Sequence, residues 1–349
     1  MRVPLTRPWG ADVTSIGVVS THVVRQDGAE GWGFAWTPQI GLEAVTALLQ
    51  HDIAAAAPGR DAAPGAAWQG MWEHLHEAGG GGITTIALAG LDLALWDAEA
   101  RARGVSVSHL IGRRRDRLRA YGSGVNLHYS EGELCAQVER WVAAGFDAIK
   151  VKVGKPDLAE DVDRLAAVRE VLGPDRSLMI DANQRWDLER ATSALEALAR
   201  FDPAWIEEPL RADDLRGHVE LAARITVPIA VGENLHTAYR FEEFLAAGGA
   251  HSAQPNIVRV GGITPFLRIA RIAEDHGAAL HPHLLPELSG QLALTLPGDP
   301  FVEDVEDAAF GALGALAEAA PGRISAGHFS EADHLGLGIR FVPPGEDPS

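Results

Sequence analysis

The chain carries a single cysteine, Cys135, among 349 residues. An intramolecular disulfide framework is therefore excluded, and a reducing cytoplasm is the expected setting. Long uninterrupted apolar runs are also missing. The stretch "ITTIALAGLDLALW" is broken by Asp92 and followed at once by Asp97, so it is too interrupted to span a bilayer. The first ten residues, "MRVPLTRPWG", contain no apolar h-region and do not read as a secretory signal. Basic residues are scarce: 30 Lys and Arg stand against 48 Asp and Glu, a formal charge of −18. With no basic stripe, a nucleic-acid partner is not expected. The one basic cluster, "GRRRDRLR" (112–119), reads as a solvated connector after a helix. No Gly-rich dinucleotide fingerprint follows the first strand, and no Walker lysine is present. What remains, 46% hydrophobic and 22% charged residues, is the composition of a soluble globular protein.

Two textures alternate along the chain. Residues 14–36 read as short strands with turn signals, and 42–57, 66–78 and 83–103 as helices, the last closed by Gly104. That is an α+β pattern. From residue 118, short β-rich runs recur, each followed by an amphipathic helical stretch: "LRAYGSG", "AIKVKV", "SLMIDA", "AWIEEP", "PIAVGE", "AHSAQP", "AALHPH" and "PFVEDV". Eight such βα units, spaced by roughly 22–30 residues, predict a (β/α)₈ barrel. The expected organisation is an α+β cap over 1–117, a barrel over 118–321, and a tail over 322–349 that packs on the cap.

"IKVKVG" (149–154) puts Lys150 and Lys152 on one face of a strand, because side chains two apart share a face. Either both reach water at a strand end, or one cation lowers the pKa of the other so that it can act as a base. Chemistry in a barrel sits at the C-terminal strand ends. In order these ends supply Lys150 and Lys152, Asp181, Glu207, Glu233, Asn256, His283 and Glu303. Asp181, Glu207 and Glu233 come from adjacent strands, and their mutual repulsion calls for a hard divalent cation. Oxygen-only ligands suit Mg²⁺. Lys152 and His283, on the second and seventh strands, would flank a substrate from opposite sides, the geometry for acid–base chemistry at a carbon next to a carboxylate. His281, one layer deeper, reads as structural.

The ordered set "KVKVG", "MIDANQRW", "WIEEPL", "VGEN", "QPNIVRVGGIT" and "HPHLLPELS" resembles the mandelate racemase subgroup of the enolase superfamily, and the resemblance covers nearly the whole chain. It implies a modified (β/α)₈ TIM barrel under an α+β cap, with Mg²⁺ on Asp181, Glu207 and Glu233. It implies that Lys152 moves the proton α to a carboxylate, and that Lys150 neutralises that carboxylate and depresses the pKa of Lys152. Asn183 is expected near the metal or substrate, and Glu303 is expected to hydrogen-bond the developing enediolate. A small carboxylate substrate and a homo-oligomer, from dimer to octamer, are also implied.

Two departures stand out. The family usually places Asp where this chain has Asn256, so a less basic His283 is expected, which favours dehydration over two-base racemisation. The first strand is nearly absent, so either the start codon is misassigned or the cap is shortened, and the loop Thr6–Asp12 is expected to be poorly anchored. The expected activity is a Mg²⁺-dependent acid-sugar dehydratase yielding a 2-keto-3-deoxy acid. The alternatives are a racemase or epimerase of a 2-hydroxy acid, a lactone cycloisomerase, or a sugar-acid binder without turnover. A barrel hydrolase would want His-rich ligands, which the carboxylate set argues against. Specificity is expected from residues 5–12 and 28–40, where one of Trp32, Phe34 and Trp36 could form a pocket wall.

Overall fold

The computed structural model describes residues 1–9 and 13–343. Strands β1 (Arg2–Pro4), β2 (Ser15–Val24) and β3 (Glu30–Thr37) form an antiparallel sheet in chain order. The first strand is short, but it pairs with β2 through all three of its residues. The loop that follows is tied down, against expectation. Leu5 N–H donates to the Thr14 carbonyl and Trp9 N–H to the Val13 carbonyl, each at 2.9 Å, and Arg7 Nε reaches Asp307 Oδ2 at 2.6 Å. The rest of that loop, Gly10–Asp12, lies outside the described residues.

The sheet lies on the long cap helix Ile83–Ala102. Contact is close because β3 carries glycines. A Cβ at Gly31 would sit 2.1 Å from Ala94 O, and one at Gly33 2.3 Å from Gly90 O. The helix is buried nearly all round, which explains its apolar sequence. Its two buried acids serve as junctions. Asp97 accepts Trp32 N–H at 2.9 Å, Leu337 N–H at 2.6 Å and Arg101 Nε at 2.7 Å. Asp92 accepts the Thr264 N–H at 3.0 Å and its hydroxyl at 2.5 Å. Sheet, tail and barrel are thus fastened to one helix. Burial pushes the Asp92 carboxyl up to about 7.

The barrel strands are β4 (Arg117–Ser123), β5 (Ala148–Lys152), β6 (Ser177–Asp181), β7 (Pro203–Glu207), β8 (Ile229–Val231), β9 (Ser252–Ala253), β10 (Ala279–Leu280) and β11 (Val302–Val305). Parallel ladders join β4 through β10 in chain order, and β11 returns to pair with β4. Between β10 and β11 side chains span the seam. His281 Nδ1 accepts Phe301 N–H at 3.1 Å, and Glu303 Oε2 accepts Leu284 N–H at 2.9 Å. The barrel floor is an apolar layer that includes Tyr121, Met179, Trp205 and Phe301. His281 belongs to this floor: it stacks on Trp205 at 5.1 Å, and burial pulls it down to about 4.

The tail differs in part from expectation. Strands β12 (Gly322–Ser325) and β13 (His328–Glu331) form a hairpin that pairs antiparallel with β4 of the barrel, not with the cap. The hairpin touches the cap through Glu331, which accepts Ser108 Oγ at 2.6 Å and Arg113 at 3.1 Å, and beyond it the chain runs onto the cap. There Gly336 O accepts Val107 N–H at 2.8 Å, and Phe341 packs edge-on against Phe34 at 5.2 Å. No helix among the described residues is long and apolar enough to cross a membrane.

Candidate active site

Strand alternation aims Lys150 and Lys152 into the barrel, but at different depths. Lys150 is buried, with its Nζ 2.7 Å from Glu207 Oε2, 2.8 Å from Glu303 Oε1 and 3.7 Å from Asp181 Oδ2. It lies 5.5 Å from the centre of the Tyr121 ring. Lys152, one layer higher, lines a cavity of about 280 Å³ and pairs with Asp181 Oδ2. Lys150 is pinned among carboxylates below the cavity. Burial and Lys150 do pull the pKa of Lys152 down, but Asp181, backed by Glu233 and Glu207, outweighs them and holds it above its ordinary value.

Asp181, Glu207 and Glu233 stand at the ends of consecutive strands or just beyond them. Asp181 Oδ1 accepts Asn183 N–H at 2.8 Å. Glu207 Oε2 accepts Lys150 and, at 2.9 Å, the Gln254 amide; its Oε1 is buried with no partner among the described residues. Burial pushes Glu207 up to about 7, opposed by Lys150 and reinforced by Asp181, Glu303 and Glu233. Glu233 Oε2 meets His283 Nε2 at 2.6 Å. The compact set of potential ligand atoms, all within 4.8 Å of one another, is Glu207, Glu233 and His283. The expected set had Asp181 in place of His283. The difference arises because Asp181 is engaged by Lys152 while His283 reaches across to Glu233. An orphaned, buried carboxylate oxygen among converging acids fits a hard divalent cation, which would supply what Glu207 Oε1 lacks.

Asn256 lies beneath His283. The Arg259 N–H donates to Asn256 Oδ1 at 3.1 Å, which leaves the amide Nδ2 to face His283 Nδ1, also at 3.1 Å. An amide donor on Nδ1 favours a neutral ring with its proton on Nε2. The carboxylates act the other way. Burial pulls His283 down, but Glu233 and Glu303 push harder, and its net shift is upward. The acids that raise it are the groups its Nε2 faces, Glu233 at 2.6 Å and Glu303 at 3.7 Å.

Glu303 lines the cavity, with its Oε1 2.8 Å from Lys150 Nζ and its Oε2 accepting the Leu284 N–H at 2.9 Å. Burial pushes its pKa up, yet Lys150 and His283 pull harder and hold it below the ordinary carboxylate value. Asn183 lines the cavity in a left-handed conformation (φ 42°), with its amide 3.4 Å from both Asp181 Oδ2 and Glu233 Oε1.

Sequence reasoning missed the supporting layer. Glu208, buried and pushed well above its ordinary value by burial, accepts the Asn234 amide at 2.7 Å. Asn234 in turn donates to Glu233 Oε1 at 3.1 Å, and Arg259 clamps the Glu233 carbonyl at 2.8 Å. Asn126 Oδ1 accepts the Lys152 N–H at 2.9 Å and fixes that strand end. The doubled acid of "IEEP" and the amide of "GEN" were available signals. Asn126 had none beyond its place after the first barrel strand. Gln184, Glu208, Leu284 and Leu285 share the left-handed backbone of Asn183, at φ 61°, 39°, 57° and 53°. Such strain is held where packing over-determines it. Gly232 (φ 147°) has no such latitude, since a Cβ there would lie 2.7 Å from the Gln254 backbone.

The mandelate racemase / muconate lactonizing enzyme N-terminal domain matches residues 3–112, and the enolase C-terminal domain-like family matches residues 133–344. The 3,6-anhydro-α-L-galactonate cycloisomerase of Streptomyces coelicolor is 36% identical over 323 residues, covering 92% of this chain and 88% of that protein. The L-talarate/galactarate dehydratase of Salmonella typhimurium is 37% identical over 304 residues, covering 84% and 74%. A crystal structure of L-talarate dehydratase from Polaromonas sp. JS666, complexed with Mg and L-glucarate, superposes with a TM-score of 0.88 at 34% identity, covering 98% of this chain and 92% of that one. Cap, barrel and ordered strand ends alike make this chain a member of the mandelate racemase / muconate lactonizing enzyme family, within the enolase superfamily.

Proposed function

We propose that this protein is a Mg²⁺-dependent hydro-lyase acting on a sugar acid. The observation that carries the proposal is that Lys152, His283, Glu233 and Asn183 line one cavity beneath the cap. Asp181, Glu207 and Glu233 would hold Mg²⁺, which supplies positive charge beside the substrate carboxylate. Lys152, as the free amine, takes the proton from the carbon α to that carboxylate. The β-carbon–oxygen bond breaks, and His283 as imidazolium gives its proton to the departing hydroxyl. Water and an enol leave the site, and the enol becomes a 2-keto-3-deoxy acid. Lys150 and Glu303 form the buried ion pair that carries the ligand layer, and Asn256 with Arg259 orients His283. Relatives that are dehydratases support this reading.

Lactone cycloisomerisation is the second reading, favoured by the cycloisomerase relative that spans 92% of the chain. Symmetric racemisation is less favoured, because the neutral Asn256 amide on His283 Nδ1 stabilises an imidazolium less than a carboxylate would, which makes the ring a weaker base and a readier proton donor. We further propose a cytoplasmic homo-oligomer, from dimer to octamer, whose partner is a small carboxylate. The test uses the protein with Mg²⁺ in D₂O against sugar acids, their lactones and 2-hydroxy acids, following keto-acid formation and deuterium at the α-carbon. Keto-acid formation that is lost in Lys152→Ala supports dehydration. Deuterium without keto acid would replace it with racemisation. Neither signal, with EDTA-sensitive ligand binding retained, would identify a binding protein.

A further inference from the structure

On that reading of the site, we infer that the substrate is a monocarboxylate whose end remote from the reacting carbon is uncharged and poor in hydroxyls. A deoxy or anhydro sugar acid fits; a six-carbon diacid does not. The argument rests on the half of the cavity that faces the cap. Its described lining there is Trp9, Val13, Trp36, Pro38 and Gln39 from the cap, with Leu284 and Val305 from the barrel rim, so the wall is uncharged and mostly apolar. Trp9 and Trp36 meet edge to face, their ring centres 6.4 Å apart, so this wall is continuous.

A second carboxylate would need a cation on this side. Lys152 and Arg259 are the lysine and arginine among the described lining residues. Lys152 faces Asp181, and Arg259 is spent on the Glu233 carbonyl at 2.8 Å and on Asn234 Oδ1. Arg7, in the cap loop, is paired with Asp307 at 2.6 Å and Glu306 at 3.5 Å. A remote carboxylate would therefore be buried against indole rings without a counter-ion, which is costly. Each hydroxyl laid on this wall without a partner would cost on the order of tenfold in affinity. Two cap side chains carry polar groups on this wall: Gln39, and Trp36, whose indole N–H is buried with no partner among the described residues. The indole can serve one acceptor oxygen, such as a ring ether or a hydroxyl.

The experiment compares D-galactonate, 6-deoxy-D-galactonate, 3,6-anhydro-L-galactonate and galactarate, with Mg²⁺. Turnover is read as kcat/KM for product formation or α-deuterium. Binding is read separately, as quenching of indole fluorescence. The deoxy or anhydro acid is expected to exceed galactarate by at least about 100-fold in either readout, since the diacid carries an unpaired buried charge. Trp36→Phe should weaken binding of the preferred acid by about tenfold, through loss of one donor. Val13→Arg should narrow the gap to galactarate by supplying the missing cation. Galactarate bound or turned over as well as the deoxy and anhydro acids would overturn the inference. Absence of turnover with every acid would sink the hydro-lyase reading, while the binding order would still decide this one.

Discussion

The two ends of the barrel interior obey opposite rules. At the floor, Tyr121, Met179, Trp205 and Phe301 pack as an apolar layer in ring-to-ring contact, with Tyr121 and Trp205 edge-on at 5.8 Å. A few ångströms higher, Lys150 is enclosed by Glu207, Glu303 and Asp181, and above it Lys152 and His283 lean on Asp181 and Glu233. The floor is buried because burial stabilises it. The mouth is buried although burial opposes it: desolvation and like charge push Glu207 up to about 7. The barrel thus supports a mouth that would not hold together alone, and the mouth keeps the charge that chemistry requires.

Substitution at each end should separate the two roles. The largest expected effect is at the mouth. Lys152→Ala should lower kcat by about 10²–10⁴-fold, the range of a general base, while Mg²⁺ binding by calorimetry persists. Loss of metal binding together with activity would make Lys152 a structural counter-ion instead. At the floor, Trp205→Ala should cost about 3–5 kcal/mol of stability in denaturant melts, with KM little changed in the fraction that stays folded. A smaller effect tests the metal. Mg²⁺ at 100-fold excess over its Kd should stabilise the protein by about 2.7 kcal/mol, read as a rise in Tm that EDTA reverses. Glu207→Gln should abolish most of that rise, and an undiminished rise would remove Glu207 from the ligand set.

The smallest effect lies outside the barrel. Asp92 is raised to about 7 by burial, so the folded state holds its proton more tightly than the unfolded chain does. Its contribution to stability is full below the unfolded value near 4 and is lost as pH rises through 7. Asp92→Asn should therefore flatten the decline of stability between pH 4 and 7 relative to wild type. Equal slopes for the two proteins would show that Asp92 is ionised in the folded state.

Much of this protein was legible in one dimension. The period of βα units announced the barrel, because each strand must be buried on both faces and each helix on one. The strand ends announced the mouth, because a barrel directs successive C-terminal residues to one place. On that basis alone Lys152, Asp181, Glu207, Glu233, Asn256, His283 and Glu303 were assembled, and the structure brings them within one mouth. Balance was not legible there. Whether Lys150 or Asp181 dominates Lys152, and whether Asn256 or Glu233 dominates His283, depends on distances of a few ångströms, and Coulomb energies change steeply over that range. The hairpin of β12 and β13 was hidden for a similar reason, since pairing with β4 is a contact between segments about 200 residues apart in sequence. Sequence order determined which chemical groups arrive at the mouth. Only tertiary structure decided which of them touch, which are left without a partner, and how apolar the roof above them is.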